Sequence, residues 1–235
     1  MFTLLGQRGT QLTGYPCVST YHGFRYGPRE VTHGAMDDYV YDHFGWFGFT
    51  TELWDLPTTA GIGPRDFIAW LRWHPEEDDL ALMRWNDAVM EGAAFVDWQP
   101  FQHPQLGPVD IGGWHAKLFQ QNAPLKYLPE LCEQHSRFTL AHAALCPYLS
   151  LHTVQVESRG PELFHVVTVI QNNGFLPTYT SQKALERKCV RPIEVALTLP
   201  EGVSLVSGQL RQDVGHLEGP ANKVWARGAG SSPTD

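Results

Sequence analysis

Residues 34–55 read GAMDDYVYDHFGWFGFTTELWD, and this stretch decides how the chain is interpreted. Its first part predicts a short helix over Met36–Phe44. Asp37 and Asp38 fall in the first turn, where acidic side chains favour the positive end of the helix dipole. Gly45 suits the position just past the last turn. The stretch therefore begins as a capped helix with two carboxylates at its start.

An aromatic strand is predicted to follow this helix. Side chains alternate between the two faces of a strand, so Gly48, Thr50 and Glu52 are expected to share one face. A carboxylate flanked by aromatic residues and glycine loses solvent, which raises its pKa toward that of a general base. Glu52 is thus a candidate base, and a solvated glutamate at a strand end is the alternative interpretation.

The rest of the chain predicts an α/β fold of several parts. Residues 1–60 are interpreted as strand, loop, short helix and strand, and residues 98–125 as an irregular connection. Further helices are predicted over Asp66–Trp73, Glu76–Met90 and Leu128–Leu145. The predicted division is an α/β domain over 1–125, a linking helix over 126–147, a small antiparallel β-sandwich over 148–222 and a disordered tail over 223–235.

Composition excludes several classes of protein. The net charge is −8 without a basic cluster, which argues against nucleic acid as a partner. No run is apolar enough for a membrane span, and the first residues lack the pattern of a secretion signal, so a cytoplasmic location is the expectation for the chain as it stands. The four cysteines form no CxxC pair and are predicted to be buried thiols.

Residues 34–55 are similar to the catalytic-glutamate segment of the zinc carboxypeptidase family, of the pancreatic carboxypeptidase type and its bacterial-like members. In that family an Asp-Trp or Asp-Asp-Trp helix start precedes a strand that ends in Phe-Thr-x-Glu-Leu. The spacing from Asp38 to Glu52 agrees without a gap. The matching residues are Asp37, Asp38, Tyr39, Tyr41, Phe49, Thr50, Glu52, Leu53 and Asp55. The resemblance implies the C-terminal portion of such a mixed-sheet domain, followed by the β-sandwich.

The resemblance also implies roles for individual residues. Glu52 would be the general base that activates a zinc-bound water, and a peptide C-terminus would be the substrate. Tyr21 would be the substrate-capping tyrosine, with Tyr26 as a rival, and Thr50 would line the substrate site. Asp37 stands where members that prefer C-terminal Lys or Arg carry an aspartate, and a carboxylate there would pair with a cation.

The zinc ligands of that family are not found before this motif in the sequence. The family binds zinc through an HxxE pair and a later histidine, all N-terminal to the glutamate. The histidines before Glu52 form no HxxE. The HxxE of His74 and Glu77 follows Glu52 and coincides with a helix start, which favours a structural role. The expectation is a fragment that continues upstream, binds no zinc as written and is inactive alone.

Two other function classes are compatible with parts of the sequence. A non-catalytic protein that binds peptide or carbohydrate is compatible with the predicted β-sandwich and with the eight tryptophans. A glycosidase could use Asp38 and Glu52 as its carboxylate pair, although nothing in the sequence fixes their separation. A serine hydrolase is disfavoured because no GxSxG elbow is present.

Overall fold

The fold is mixed α/β, as the sequence predicted. The structure is a computed structural model that describes residues 1–27 and 29–222, without the side chain of Phe67. The predicted disordered tail lies outside the described residues. The helices are α1 (Phe2–Thr13), α2 (Met36–Phe44), α3 (Leu56–Thr59), α4 (Phe67–Arg72), α5 (Glu76–Met90), α6 (Leu128–Ala143) and α7 (Gln182–Glu186), with a π-helix over Ala116–Gln120 and a 3-10 turn over Leu125–Tyr127.

Strands in the described part form three separate antiparallel pairs. The strands are β1 (Phe95–His103), β2 (Gly107–Trp114), β3 (Leu149–Ser158), β4 (Phe164–Asn172), β5 (Glu194–Ala196) and β6 (Arg211–Asp213). Each strand pairs with its neighbour in sequence, β1 with β2, β3 with β4 and β5 with β6. Every strand therefore has one unpaired edge within the described residues.

The chain divides into two compact units, which are described separately. The first unit contains Met1–Cys17, His33–Thr50 and the described residues from Arg137 onward. The second unit contains Val18–Thr32 and Thr51–Ser136. The segment 34–55 is shared between them, because Thr50 ends one stretch and Thr51 begins another. The domain boundaries expected from sequence stay a prediction.

The first correction concerns the N-terminus, which is a helix and not a strand. α1 ends at Gly14, whose backbone is left-handed with φ of 75°. Gly6 and Gly9 lie on its buried face, and a Cβ at Gly9 would come within 3.0 Å of the ring of Phe138. These glycines allow close packing against the helix, whereas in the sequence they suggested extended chain.

Three of the predicted helices agree closely with the structure. α2 and α5 have the predicted bounds, and Gly45 closes α2 in the left-handed conformation with φ of 69°. α4 is one residue shorter at each end than predicted, with Asp66 as its N-cap. The acidic first turns of α2 and α5, the glycine cap of α2 and the N-cap Asp66 of α4 made these helices predictable.

The second correction concerns residues 98–125, which contain most of a β-hairpin. β1 and β2 pair from Phe95 opposite Trp114 to His103 opposite Gly107. Pro100 lies within β1, which is possible because each strand of a two-stranded sheet has a free edge. The prolines and glycines that suggested an irregular connection therefore mark an edge strand and a turn.

The core of the second unit is rich in tryptophan. Trp54, Trp70 and Trp85 are buried together with the aliphatic side chains of α3 and α5. Trp114 packs against this cluster and is partly buried. Core packing thus explains these tryptophans, whereas Trp73 is 79% exposed.

The C-terminal region contains two hairpins in place of a longer run of strands. The alternating runs over 149–158 and 163–172 predict strands, which are present as β3 and as β4, one residue shorter at its start. The predicted strand over 193–208 is reduced to β5, because Pro200 and Gly202 interrupt it. One face of the β3–β4 pair is apolar and exposed. Its exposed members include Leu151, Val154, Val156, Phe164 and Val166.

The third correction concerns the cysteines, which are all exposed free thiols and not buried ones. Three of them, Cys17, Cys146 and Cys189, lie a few residues after a helix ends. Among the described residues, no helix is long and apolar enough to cross a membrane.

Candidate functional site

Helix α2 places Asp37 in its first turn as predicted, and this carboxylate has an unusual environment. Its Oδ1 atom is shielded from solvent and accepts no hydrogen bond from any described residue. A shielded carboxylate oxygen without a donor is costly, because the hydration it gives up is not replaced. Among the described residues, this oxygen of Asp37 is thus left without a compensating donor.

The segment after α2 folds back along the helix. The amide of Trp46 donates to the carbonyl of Val40 over 3.2 Å. Gly48 then presses against the helix: a Cβ at this position would lie 3.0 Å from Cα of Asp37 and would overlap the side chain of Val40. Only glycine allows this approach, so Gly48 brings the segment that leads to Thr50 next to Asp37.

Aromatic side chains anchor this segment within the first unit. The ring of Phe49 lies 5.6 Å from that of Phe2, 5.8 Å from that of Phe138 and 5.6 Å from that of His142. These edge-on and tilted contacts are the favoured arrangements of aromatic pairs. Burial lowers the pKa of His142, so this ring contributes as a neutral packing group. Thr50 follows directly and is exposed.

The fourth correction concerns Glu52, which is exposed and not at the end of a strand. Residues 45–55 contain no strand, and the Glu52 side chain has no hydrogen bond or ion pair within the described part of the chain. The loss of solvent expected from its aromatic neighbours in sequence is thus not observed. Trp54, two residues after Glu52, is buried, and its backbone is left-handed with φ of 86°.

Tyr21 is exposed in the irregular stretch before α2. Its ring packs edge-on against His22, with the ring centroids 4.8 Å apart. The guanidinium of Arg25 lies 5.7 Å from the ring centroid. Its rival Tyr26 is also exposed and pairs with Phe24. Both tyrosines have accessible rings, and the structure does not favour one of them.

The predicted site residues fall into both units. Asp37 and Thr50 belong to the first unit, where Gly48 connects them to one end of α2. Tyr21 and Glu52 belong to the second unit. The structure places Asp37 and Thr50 in one unit and Tyr21 and Glu52 in the other, and a site formed by the four residues stays a prediction.

A polar network in the second unit was not predicted as a whole. Asp78 is buried and accepts two hydrogen bonds from Arg65, each 3.1 Å long, and one of 2.9 Å from the indole of Trp70. The hydrogen bonds from Arg65 hold the pKa of Asp78 below its ordinary value, against the opposing effect of burial. The acidic first turn of α5 was the available signal, but it did not reveal which acid turns inward.

His74 belongs to the same network and has the structural role that its position predicted. Its Nδ1 lies 2.9 Å from the carbonyl oxygen of Trp70, and its Nε2 lies 2.9 Å from a carboxylate oxygen of Asp79. Both partners are acceptors, so both ring nitrogens carry protons in this arrangement. Burial opposes the charge, but the two hydrogen bonds and nearby Asp78 and Asp79 raise the pKa of His74 overall.

A small cavity lies beside this network, lined by tryptophan and aliphatic side chains. Its volume is about 30 Å³, enough for a water molecule and too small for a peptide side chain. His74, Asp79, Trp85 and Trp114 are among its lining residues. We assign it to imperfect core packing.

Zinc is the cofactor implied by the family resemblance, and it would require a cluster of His, Cys, Asp or Glu side chains as ligands. In the parts of the chain that the structure describes, no group of three or more His, Cys, Asp or Glu side chains could hold a metal ion. His74 and Glu77 do not form a pair, because both nitrogens of His74 have other partners. The described residues therefore do not fit a zinc centre by themselves.

Comparison with known proteins identifies one region of the chain. Residues 148–232 match a family described as a domain of unknown function (DUF8731). This region begins at β3 and includes β4, α7, β5 and β6. No curated protein and no solved structure matches the chain.

Proposed function

We propose that residues 34–55 are the catalytic-glutamate segment of a zinc metallocarboxypeptidase, an enzyme that removes C-terminal residues from peptides. The observation that carries this proposal is the ungapped spacing from Asp38 to the Phe49-Thr50-Thr51-Glu52-Leu53 run. The chain would then be the C-terminal portion of a carboxypeptidase-like mixed-sheet domain. The hairpins β3–β4 and β5–β6 would belong to a small β-sandwich that follows it.

Glu52 is the proposed general base. A base in this reaction takes a proton from water and returns it to the departing amine, so it must be reachable by both. The exposure of Glu52 and its lack of a bonded partner among described residues are compatible with that task. Zinc would supply Lewis acidity and a water of lowered pKa, and its ligands would come from outside residues 1–235.

Asp37 supports a preference for substrates that end in Lys or Arg. The support is its position in the resembling motif, at which members that prefer Lys or Arg carry an aspartate, and a guanidinium or ammonium group would supply charge-assisted donors to that carboxylate. By the same resemblance, Thr50 would contact the same substrate. Tyr21 would cover the substrate, with Tyr26 as its rival.

Two preparations test this proposal together. The first is the gene product purified from its own cells, with its intact mass, its zinc content and its hydrolysis of a peptide with a free C-terminus measured. The same peptide with an amidated C-terminus is the control. We expect a mass above the 26.4 kDa of this chain, stoichiometric zinc and cleavage of the free peptide only.

The second preparation is the recombinant chain of 235 residues, for which we expect neither stoichiometric zinc nor hydrolysis. Zinc binding together with hydrolysis by this chain would contradict the proposed division of the active site. A native product of 26.4 kDa without peptidase activity would contradict the enzyme proposal as a whole, and the peptide- or carbohydrate-binding alternative would replace it.

A further inference from the structure

The last turn of α2 is held by side chains from the region that matches the family of unknown function. Ser181 lies 136 residues after Gly45 in the sequence, yet its hydroxyl donates a hydrogen bond of 2.5 Å to the carbonyl oxygen of Gly45. The thiol of Cys189 donates to the carbonyl oxygen of His43 over 2.8 Å. All four residues belong to the first unit.

These two contacts satisfy groups that a helix end normally leaves open. The last carbonyl groups of a helix have no partner within it, and water or side chains must bond them. Gly45 and Ser181 are both buried, so water does not replace the serine hydroxyl at this point. Ser181 and Cys189 thus act as a long-range cap for α2.

Charge and shape agree with this cap. The ammonium of Lys183 lies 3.2 Å from a carboxylate oxygen of Asp42, near the negative end of the α2 dipole. Ala184 is fully buried against Gly45, and a Cβ added to Gly45 would lie 2.6 Å from Cα of Ala184. Gly45 is therefore required twice, for its left-handed φ and for the close approach of α7.

We propose that Ser181, Lys183 and Cys189 form a positioning clamp on α2, and that this is the task of α7 in the matched region. The clamp holds the helix that presents Asp37 and against which Gly48 rests. The part of the inference that concerns substrate preference rests on the proposed function. The clamp itself rests only on the contacts with Gly45, His43 and Asp42.

A substitution of Ser181 can remove its hydrogen bond to Gly45 while it keeps the cap of α7. Ser181 also accepts a hydrogen bond of 3.2 Å from the amide of Ala184, which caps α7. In Ser181→Asp the carboxylate keeps this cap, because aspartate caps helices as well as serine does, but it cannot donate to the Gly45 carbonyl. Cys189→Ala is the second variant, and it removes the other donor at an exposed position.

Hydrogen exchange of the 235-residue chain reads the clamp directly. The amides of Gly45 and Trp46 bond to carbonyl groups of Tyr41 and Val40, so their exchange reports the last turn of α2. We expect exchange at least about tenfold faster in Ser181→Asp and about threefold faster in Cys189→Ala. The control is Ser150→Ala in β3. It removes the acceptor of a 2.7 Å hydrogen bond from the side-chain amide of Asn173, and it should leave the exchange of the Gly45 and Trp46 amides unchanged.

The substrate preference of the native gene product tests whether the clamp positions α2. We expect Ser181→Asp to lower the ratio of kcat/KM for Lys-ended over Leu-ended peptides by about threefold or more, because misplacing α2 displaces Asp37. A purely structural loss would lower both values equally and leave the ratio unchanged.

Each outcome decides one part of the inference. Unchanged exchange at Gly45 and Trp46 in both variants would overturn the clamp. Faster exchange with an unchanged substrate ratio would overturn its positioning role. A native product without carboxypeptidase activity would refute the proposed function, while the exchange experiment would still decide whether the clamp exists.

Discussion

The indole Nε1 of Trp54 donates a hydrogen bond of 2.7 Å to the backbone carbonyl oxygen of Phe119, 65 residues later in the chain. Trp54 keeps a φ of 86°, a conformation that costs a non-glycine residue of order 1–3 kcal/mol. Its ring also packs against Tyr127 at 5.1 Å and joins the core of the second unit. These contacts compensate for the backbone strain two residues after Glu52.

Replacing Trp54 with phenylalanine should therefore destabilise the second unit. The variant keeps an aromatic ring but leaves the Phe119 carbonyl without the indole donor, which costs about 1–3 kcal/mol of unfolding free energy. Urea denaturation followed by circular dichroism measures the change. Trp73→Phe is the matched control, because Trp73 is 79% exposed, and its effect should stay within about 0.5 kcal/mol.

The lowered pKa of Asp78 predicts that the folded chain loses stability in acid. Its pKa is lowered in the folded chain by Arg65, so its contribution is present above the unfolded pKa of about 3.9 and is lost as pH falls through the lower folded value. Asp78→Asn should be less stable than the wild type at neutral pH, and the difference should shrink in acid. Denaturation midpoints across this pH range test the expectation.

Asp87→Asn is the control for Asp78, since Asp87 is exposed on the same helix. A stability difference between the wild type and Asp78→Asn that stays constant down to the lowest pH would contradict the assigned role of the Arg65 pair.

The raised pKa of His74 predicts that its contribution to the stability of the folded chain is lost as the pH rises. Its pKa is raised in the folded chain, so its stabilising effect is complete below the unfolded pKa of about 6.5 and is lost as pH rises through the higher folded value. His74→Gln should therefore cost stability at about pH 5 and cost less at about pH 8. His152→Gln changes an exposed histidine in β3 and should show no such dependence.

Asp37 predicts a change of substrate preference in the native gene product. Asp37→Ile removes the shielded carboxylate, so kcat/KM for Lys-ended peptides should fall by about tenfold or more relative to Leu-ended peptides. Asp38→Asn, in the same helical turn, is the control and should leave the ratio within about twofold. An unchanged ratio in Asp37→Ile would rule out Asp37 as a specificity residue.

Local signals in the sequence predicted several elements correctly. Gly45 and the acidic first turn define α2 to the residue, and four consecutive acids do the same for α5. Both helices carry their own start and stop signals, which depend on nearby residues alone. The alternation of β-branched residues likewise predicted β3 and β4.

Features that depend on distant partners were not predictable. The glycines of α1 suggested extended chain, because the ring of Phe138 that packs on Gly9 lies far away in sequence. The exposure of Glu52 depends on how the surrounding chain folds, and its aromatic neighbours Phe47 and Phe49 turn toward Phe2. The cap that Ser181 provides for α2 spans 136 residues and has no local signature.

The measurement that tests the central claim most directly is the turnover of the native gene product with Glu52→Gln. Glutamine keeps the size of the side chain but cannot take a proton, so kcat on a Lys-ended peptide should fall by about 10²–10⁴-fold while zinc content stays the same. Glu77→Gln is the matched control, since Glu77 is exposed in α5, and its kcat should stay near that of the wild type. Wild-type turnover by Glu52→Gln would contradict the assignment of Glu52 as the general base.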